Sequence, residues 1–151
     1  MAHLQMMPIG SELPETKPAF FNDLAQKDQT LDQKREATQK GWGEKYKDRV
    51  HAKGKLTSHE RILKIADAPD AILPIGTFVN DGDIFGGERG RPSTAAGVIT
   101  AFVKVNGLWT VVIANDNTVA SGSWWPQTPE KIIRAQTIAL KLRIPVIYLV
   151  D

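Results

Sequence analysis

The sequence contains no cysteine, and no apolar run in it approaches the roughly 20 residues that a membrane-spanning helix requires. Disulfides, cysteine metal sites and a thiolate nucleophile are therefore excluded. The histidines at positions 3, 51 and 59 show no metal-binding spacing, so no metal is expected. The first residues have no charged segment leading into an apolar one. We therefore expect a cytoplasmic protein without direct membrane insertion.

The charge of the chain is uneven along its length. Its 151 residues allow one domain with a substantial core, and the formal net charge of +2 is too small by itself to indicate nucleic-acid binding. Between Lys34 and Lys55, however, eight basic residues stand against three acidic ones, with Trp42 and Tyr46 among them. A solvated helical face is the default interpretation of this segment. Binding to nucleic acid or to the phosphates of a cofactor are the alternatives.

The amino-terminal part predicts an arm followed by a helix. Residues 1–21 contain three prolines and allow no regular element to be argued, whereas residues 22–40 are good helix formers with a thin apolar stripe. Residues 80–94 carry four glycines among charged residues. A phosphate nest or a calcium loop is conceivable there, but the later residues of both motifs are missing, which favours a plain flexible loop.

The clearest local signal lies between these two segments. Thr57 precedes Glu60 by three residues, the pattern of a capping box, which predicts the start of a helix. Ile62 and Ile65 supply the buried face of this helix, and we expect it to end at residues 67–69. His59 lies in its first turn and is expected to be exposed.

The second half of the chain predicts a compact α/β unit. Apolar residues alternate from Ile99 to Val105, and Asn106-Gly107 is a strong hairpin signal. The return strand is apolar at four consecutive positions, 111–114, so both of its faces should be covered. Thr128 and Pro129 predict the cap and first residue of a helix.

That last helix is predicted to bury one apolar stripe and to be followed by a strand. Its apolar residues at 132, 135, 139 and 142 recur at helical spacing, with Lys131 roughly opposite. Residues 146–150 then read as a buried strand parallel to the return strand, reached through a right-handed crossover. Ligands gather beyond the strand ends of such sheets, and the chain ends there at Asp151.

Two separated motifs carry a resemblance to a known family. Residues 53–62, Lys-Gly-Lys-Leu-Thr-Ser-His-Glu-Arg-Ile, and the series formed by residues 105–107, 115–118, Gly122 and 144–149 occur in the expected order. Together they resemble the carboxyltransferase subunits of biotin-dependent acyl-CoA carboxylases and decarboxylases over residues 42–151. Residues 114–117 with Gly122-Ser123-Trp124 are similar to the alpha subunit of glutaconyl-CoA decarboxylase.

The resemblance implies an α/β fold of the crotonase-like (ClpP/crotonase) type, built from ββα units, incomplete and with a helical amino-terminal arm. Residues 1–55 would form the arm with its basic helical segment, and residues 56–151 the first part of the acyl-CoA-binding domain. The expected activity is carboxyl transfer between biotin and an acyl-CoA. The coenzyme A thioester is then the substrate, and biotin is carried on a partner subunit.

The resemblance also implies candidate binding residues. The loop between the return strand and the last helix would line the coenzyme A groove; it consists of Asn117, Thr118, Val119, Ala120, Ser121 and Gly122. Three basic residues are candidates for the phosphates: Arg49, Lys53 and Lys55. Trp124 or Trp125 could stack on a base, although packing is the preferred interpretation, and Asp116 is expected to cap its turn.

No residue of the chain is assigned a catalytic role, because in the family the charge-stabilising amides come from segments beyond Asp151. We therefore expect the chain alone to turn over no substrate, and expect a homo-oligomer to form through the carboxyl-terminal half that this sequence lacks. No nucleic-acid partner is expected. Two alternatives remain: a non-catalytic module that binds nucleic acid or a protein through its basic arm, and a crotonase-like hydratase or hydrolase.

Overall fold

The computed structural model describes residues 19–87 and 90–151 of the chain, which divides into two units, Met1–Gln33 and Lys34–Asp151. Its helices and strands are α1 (Ala19–Gln39), α2 (Glu44–His51), α3 (Ser58–Ile65), β1 (Ile72–Ile75), β2 (Ile84–Phe85), β3 (Arg91–Pro92), β4 (Val98–Val105), β5 (Leu108–Asn115), α4 (Thr128–Leu142) and β6 (Val146–Leu149). None of the helices in these described ranges combines the length and apolarity needed to cross a membrane.

A four-stranded sheet of order β1-β4-β5-β6 lies at the centre of the second unit. β4 and β5 form the predicted antiparallel hairpin, in which Val98 pairs with Asn115 and Val105 with Leu108. β6 is parallel to β5, and α4 forms the crossover between them. The predicted order of strand, strand, helix and strand is therefore confirmed.

One helix covers each face of this sheet. On one face, Ile62 of α3 packs against four residues of the sheet, Ala101, Val103, Val112 and Ala114. On the other face, Ala135 and Ala139 of α4 pack against Val98, Val111 and Ile113. Because adjacent residues of β5 point to opposite faces, all of residues 111–114 are at most 2% exposed. The prediction that both faces of the return strand are covered is confirmed.

Several local predictions need correction. The first helix begins at Ala19, inside the segment predicted to be an irregular arm, most of which lies outside the described residues. The glycine-rich segment is not a plain loop, since β2 pairs with β3 in antiparallel register. The indole N–H of Trp42 donates to the carbonyl of Pro92 at 2.8 Å, which ties β3 to the segment before α2. β1 was not predicted, because Pro74 interrupts a run of only four residues.

The start of α4 also differs from its prediction. Thr128 lies within the helix, and its hydroxyl accepts from the Trp125 amide at 2.8 Å and donates to the Ala96 carbonyl at 2.6 Å instead of capping α4. Lys131 is only 5% exposed, although the helical pattern placed it opposite the apolar stripe. Conversely, Leu142 is 56% exposed and is not part of the cluster beneath α4.

Candidate functional site

A narrow cleft lies between α2 with its following segment and the loop after β5. Its lining consists of Tyr46, Arg49, Val50, Lys53, Lys55, Asn117, Ser121 and Asp151. The cleft measures about 30 Å³, enough for a water molecule or two, so a larger ligand would lie across its mouth. The cleft thus brings three basic residues, Arg49, Lys53 and Lys55, next to the loop after β5, which follows them by more than sixty positions in the sequence.

The basic wall of the cleft is ordered by aromatic contacts. The Arg49 guanidinium lies 5.7 Å from the centre of the Tyr46 ring, and that of Arg91 lies 5.6 Å from the same ring. Arg91 also lies 5.0 Å from the ring of Trp42 and donates to the Tyr46 hydroxyl. Cation–π contacts of this kind favour one side-chain arrangement over many. Tyr46 therefore restrains Arg49 at the cleft, a role that the sequence indicated only by placing aromatic residues among the cations.

The opposite wall is fixed to the start of α3 by buried and partly buried hydrogen bonds. Asn117 accepts from the Ser58 amide at 3.1 Å and donates through its side-chain amide to the Leu56 carbonyl at 3.0 Å. The Ser58 hydroxyl donates to the Asn115 carbonyl at 2.5 Å. The two sequence motifs of the resemblance are thus joined physically. The roles of Ser58 and Asn115 were missed, because a pattern of residues does not show which segments meet.

Asp116 and Thr118 form the turn that leads into the loop. The Asp116 carboxylate accepts from the Thr118 amide at 2.9 Å and from its hydroxyl at 2.6 Å, and both residues are buried. Short polar side chains commonly fix turns in this way. The prediction that Asp116 caps its turn is confirmed.

The six candidate loop residues divide into two groups. The side chains of Asn117, Thr118 and Val119 are at most 5% exposed, so they hold the loop in place. The next three residues, at positions 120–122, have φ values of 46°, 55° and 79°. Two of them carry a Cβ, and such left-handed backbone costs about 1–2 kcal/mol per residue. Strain of this kind is concentrated at functional turns, and Ser121, at its centre, lines the cleft.

The tryptophans after the loop lie apart from the cleft lining. The ring of Trp125 is 5.9 Å from Trp42 and 6.2 Å from Phe85, so it packs in an aromatic cluster, as preferred from the sequence. Trp124 is 64% exposed and does not pack in this way. Neither is among the residues that line the cleft.

Two titratable side chains near the loop are influenced by burial. His59 is partly buried, contrary to the expectation that it is exposed. Burial lowers its pKa, the nearby Asp116 carboxylate opposes this effect, and Lys131 adds to it. Burial likewise lowers the pKa of Lys131 to about 7, against the opposing influence of Asp116.

Geometry and fold together define an α/β domain of the crotonase-like class with a basic cleft beside a strained loop. The model of the carboxyl transferase domain family matches residues 49–151. The chain belongs to this family.

Relatives with recorded functions include both carboxylases and a decarboxylase. The chain is 34% identical to the biotin-dependent 3-methylcrotonyl-coenzyme A carboxylase beta1 subunit of Mycobacterium tuberculosis, over 89% of this chain and 24% of that protein. It is 28% identical to the alpha subunit of glutaconyl-CoA decarboxylase from Acidaminococcus fermentans, over 99% of this chain and 24% of the other. The chain therefore spans about a quarter of the length of these relatives.

A solved structure supports the fold. The transcarboxylase 12S protein, crystallised as a hexamer with methylmalonyl-coenzyme A and methylmalonic acid, superposes with a TM-score of 0.71 at 23% identity. The match covers 88% of this chain and 25% of that chain. The α/β fold predicted from the resemblance is confirmed, whereas the division at residue 55 stays a prediction.

Proposed function

We propose that the chain is the acyl-CoA-binding part of a biotin-dependent carboxyltransferase, and that the nucleotide of coenzyme A lies across the mouth of the cleft. The observation that carries this proposal is the meeting of Arg49, Lys53 and Lys55 with Ser121 in one cleft. The basic side chains face the phosphates, and the turn of residues 120–122 offers backbone groups to the adenine. Small side chains there allow the close approach that such contacts require.

The electrostatics of the cleft suit this ligand. A phosphomonoester carries a charge of about −1.5 to −2 at neutral pH, and coenzyme A adds a diphosphate to it. Arginine binds phosphate through two parallel hydrogen bonds, while lysine acts as a point charge. The Arg49 guanidinium lies 5.7 Å from the centre of the Tyr46 ring, and this contact reduces the side-chain freedom that binding would cost.

The activity of the whole family member extends beyond this chain. In this proposal, a partner subunit carries biotin to the acyl-CoA, and the full protein assembles as a homo-oligomer. The chain by itself is proposed to bind its ligand without transferring carboxylate. Transfer from carboxybiotin to an acyl-CoA by the purified chain would contradict that part of the proposal.

Binding of coenzyme A and of adenosine 3′,5′-bisphosphate, measured by calorimetry at near-physiological salt, tests the cleft. Arg49→Ala and Lys53→Ala should each weaken binding by about tenfold, since a charge-assisted hydrogen bond contributes about 1.5–3 kcal/mol. Lys45→Ala is the matched control: this lysine is exposed on the same helix but does not line the cleft. It should change the affinity by less than about twofold, because salt screens distant charges.

If neither coenzyme A nor the bisphosphate binds or raises the melting temperature of the chain, the proposed function is wrong. Salt-dependent binding of generic RNA in the absence of any response to coenzyme A would instead support the alternative of a basic nucleic-acid-binding module.

A further inference from the structure

The end of the last strand reaches the cleft and contacts its basic wall. The Asp151 carboxylate accepts from the Lys55 ammonium at 3.0 Å. One residue earlier, the carbonyl of Val150 accepts from the Arg61 guanidinium at 3.2 Å. Two cationic side chains from α3 and the segment before it therefore hold the chain just after β6.

Lys55, one of the three basic residues proposed to bind the ligand, is engaged in this ion pair. Among the residues that line the cleft, Arg49, Lys53 and Lys55 are basic and Asp151 is acidic. The Asp151 side chain is 21% exposed, whereas that of Lys55 is 53% exposed. The lysine of this pair is therefore more accessible to a ligand from solvent than the carboxylate is.

We infer that Asp151 is a specificity-determining residue of the cleft, acting as an internal counter-ion that a ligand phosphate must displace from Lys55. This inference rests on the proposed function. A ligand group with a single negative charge gains little by displacing Asp151 from Lys55, because the new ion pair has the same charges as the old one. A phosphomonoester, which carries nearly two charges, gains more and takes the lysine.

Displacement also couples the ligand to β6. When the phosphate takes Lys55, the end of this strand keeps the contact between Arg61 and Val150 and loses the ion pair. By thermodynamic linkage, the free energy by which the phosphate weakens the Lys55–Asp151 pair equals the free energy by which that pair weakens phosphate binding. Ligand binding and the position of the chain after β6 therefore depend on one another.

The test is a double-mutant cycle on the 151-residue chain, with adenosine 3′,5′-bisphosphate as probe. Asp151→Asn should tighten binding of the probe by about threefold, the scale of a partly exposed ion pair. Adenosine, which lacks phosphate, should bind the variant and the unaltered chain equally. In a Lys55→Met background, Asp151→Asn should have no effect, because the competition needs the lysine.

Glu130→Gln is the matched control. This acid is exposed in the first turn of α4, lies outside the cleft lining and removes the same charge, so it should leave the affinity within about 1.5-fold. Weaker binding by Asp151→Asn would overturn the inference, because the carboxylate would then be positioning Lys55 for the ligand. An equal gain in the Lys55→Met background would overturn it too.

The outcomes separate this inference from the proposed function. If the unaltered chain binds the bisphosphate and Asp151→Asn leaves its affinity unchanged, the inference alone is wrong. If no variant binds any of the probes, both are wrong.

Discussion

Lys131 lies in the first turn of α4 with its side chain inside the protein. Its ammonium nitrogen donates to the Ala95 carbonyl at 2.8 Å and to the Val98 carbonyl at 2.6 Å. Ala95 and Ala96 have φ values of 51° and 56°, so this left-handed turn has carbonyl groups that no regular ladder satisfies. Lys131 adds a second donor to the Ala95 carbonyl, which also accepts from the Val98 amide, and Thr128 donates to the Ala96 carbonyl. Helical periodicity could not predict this, because it locates a lysine on a face without showing which way the long stem turns.

The lowered pKa of Lys131 predicts a stability that increases with pH. In the folded protein its pKa is about 7, against an ordinary value of 10.5, so between these values the unfolded chain binds the additional proton. Raising the pH across this window therefore favours the folded state, by at most about 1.4 kcal/mol per pH unit. Below the folded pKa the lysine is charged in both states, and this contribution to the slope disappears.

Denaturant unfolding of the unaltered chain and of Lys131→Met between about pH 7 and about pH 9 measures this contribution. The difference in free energy of unfolding between the two should grow with pH. Lys141→Met, which alters an exposed lysine in the last turn of the same helix, should follow the unaltered chain in parallel. Identical slopes for all three proteins would show that Lys131 keeps an ordinary pKa.

At the level of secondary structure, the capping box before α3 is a feature that the sequence predicted correctly. Thr57 accepts from the Glu60 amide at 3.2 Å, and Glu60 accepts from the Thr57 amide at 2.8 Å. His51 adds a contact of 2.9 Å to the same carboxylate, which the sequence did not indicate. Hydrogen bonds from His51 and from the Thr57 backbone lower the pKa of Glu60 to about 2. Capping residues are predictable because their partners are three positions away, whereas the contact with α2 depends on tertiary structure.

Replacing the cap should destabilise the protein without changing its fold. Thr57→Ala removes the acceptor for the Glu60 amide, and we expect a loss of about 1 kcal/mol in the free energy of unfolding. Thr57→Ser keeps the hydroxyl and should recover most of this loss. Chemical denaturation monitored by circular dichroism provides the measurement. Equal destabilisation by alanine and serine would mean that the buried methyl group of Thr57, and not its hydrogen bond, stabilises the helix.

The hairpin illustrates the same distinction between local and distant information. The Asn106-Gly107 turn and the antiparallel hairpin of β4 with β5 were predicted from a short pattern, and the structure confirms the hairpin. The structure adds Asp67, whose two carboxylate oxygens accept from the amides of Asn106 and Gly107 at 2.7 and 2.8 Å. From the sequence Asp67 was expected only to end α3, since nothing in a pattern places it beside a turn about forty residues further along the chain.

For the whole molecule, the arrangement of strand, strand, helix and strand was predictable because each element has a clear local signal. β4 shows alternation, β5 and β6 contain uninterrupted apolar runs, and α4 shows helical spacing. The cleft was predictable only as two separate sets of residues, Arg49 to Lys55 and Asn117 to Gly122. Their meeting depends on the buried bonds of Ser58 and Asn117, and on close contact between residue 41 and the loop. The short strands β1, β2 and β3 were not predicted, because two to four residues carry too little periodicity.

The close contact at residue 41 gives a prediction about how the basic segment docks on the sheet unit. Gly41 has φ +54°, and a Cβ placed on it would overlap the Thr118 hydroxyl, which Asp116 already holds at 2.6 Å. Gly41→Ala should therefore push the segment before α2 away from the loop and widen the cleft. We expect it to lower the free energy of unfolding and to weaken binding of adenosine 3′,5′-bisphosphate by severalfold.

Gly107→Ala separates backbone strain from steric overlap. Gly107 also has a positive φ, +80°, but a Cβ added to it would meet no atom of the described residues within 4 Å beyond its own chain neighbours. Its hairpin turn is at the far end of β5 from the loop. Both variants should lose about 1–2 kcal/mol from left-handed backbone strain. Only Gly41→Ala should lose additional stability and affinity, measured by denaturation and calorimetry on the same samples. Equal losses of stability with unchanged affinity would mean that the basic segment reaches its place at the cleft without close packing against Thr118.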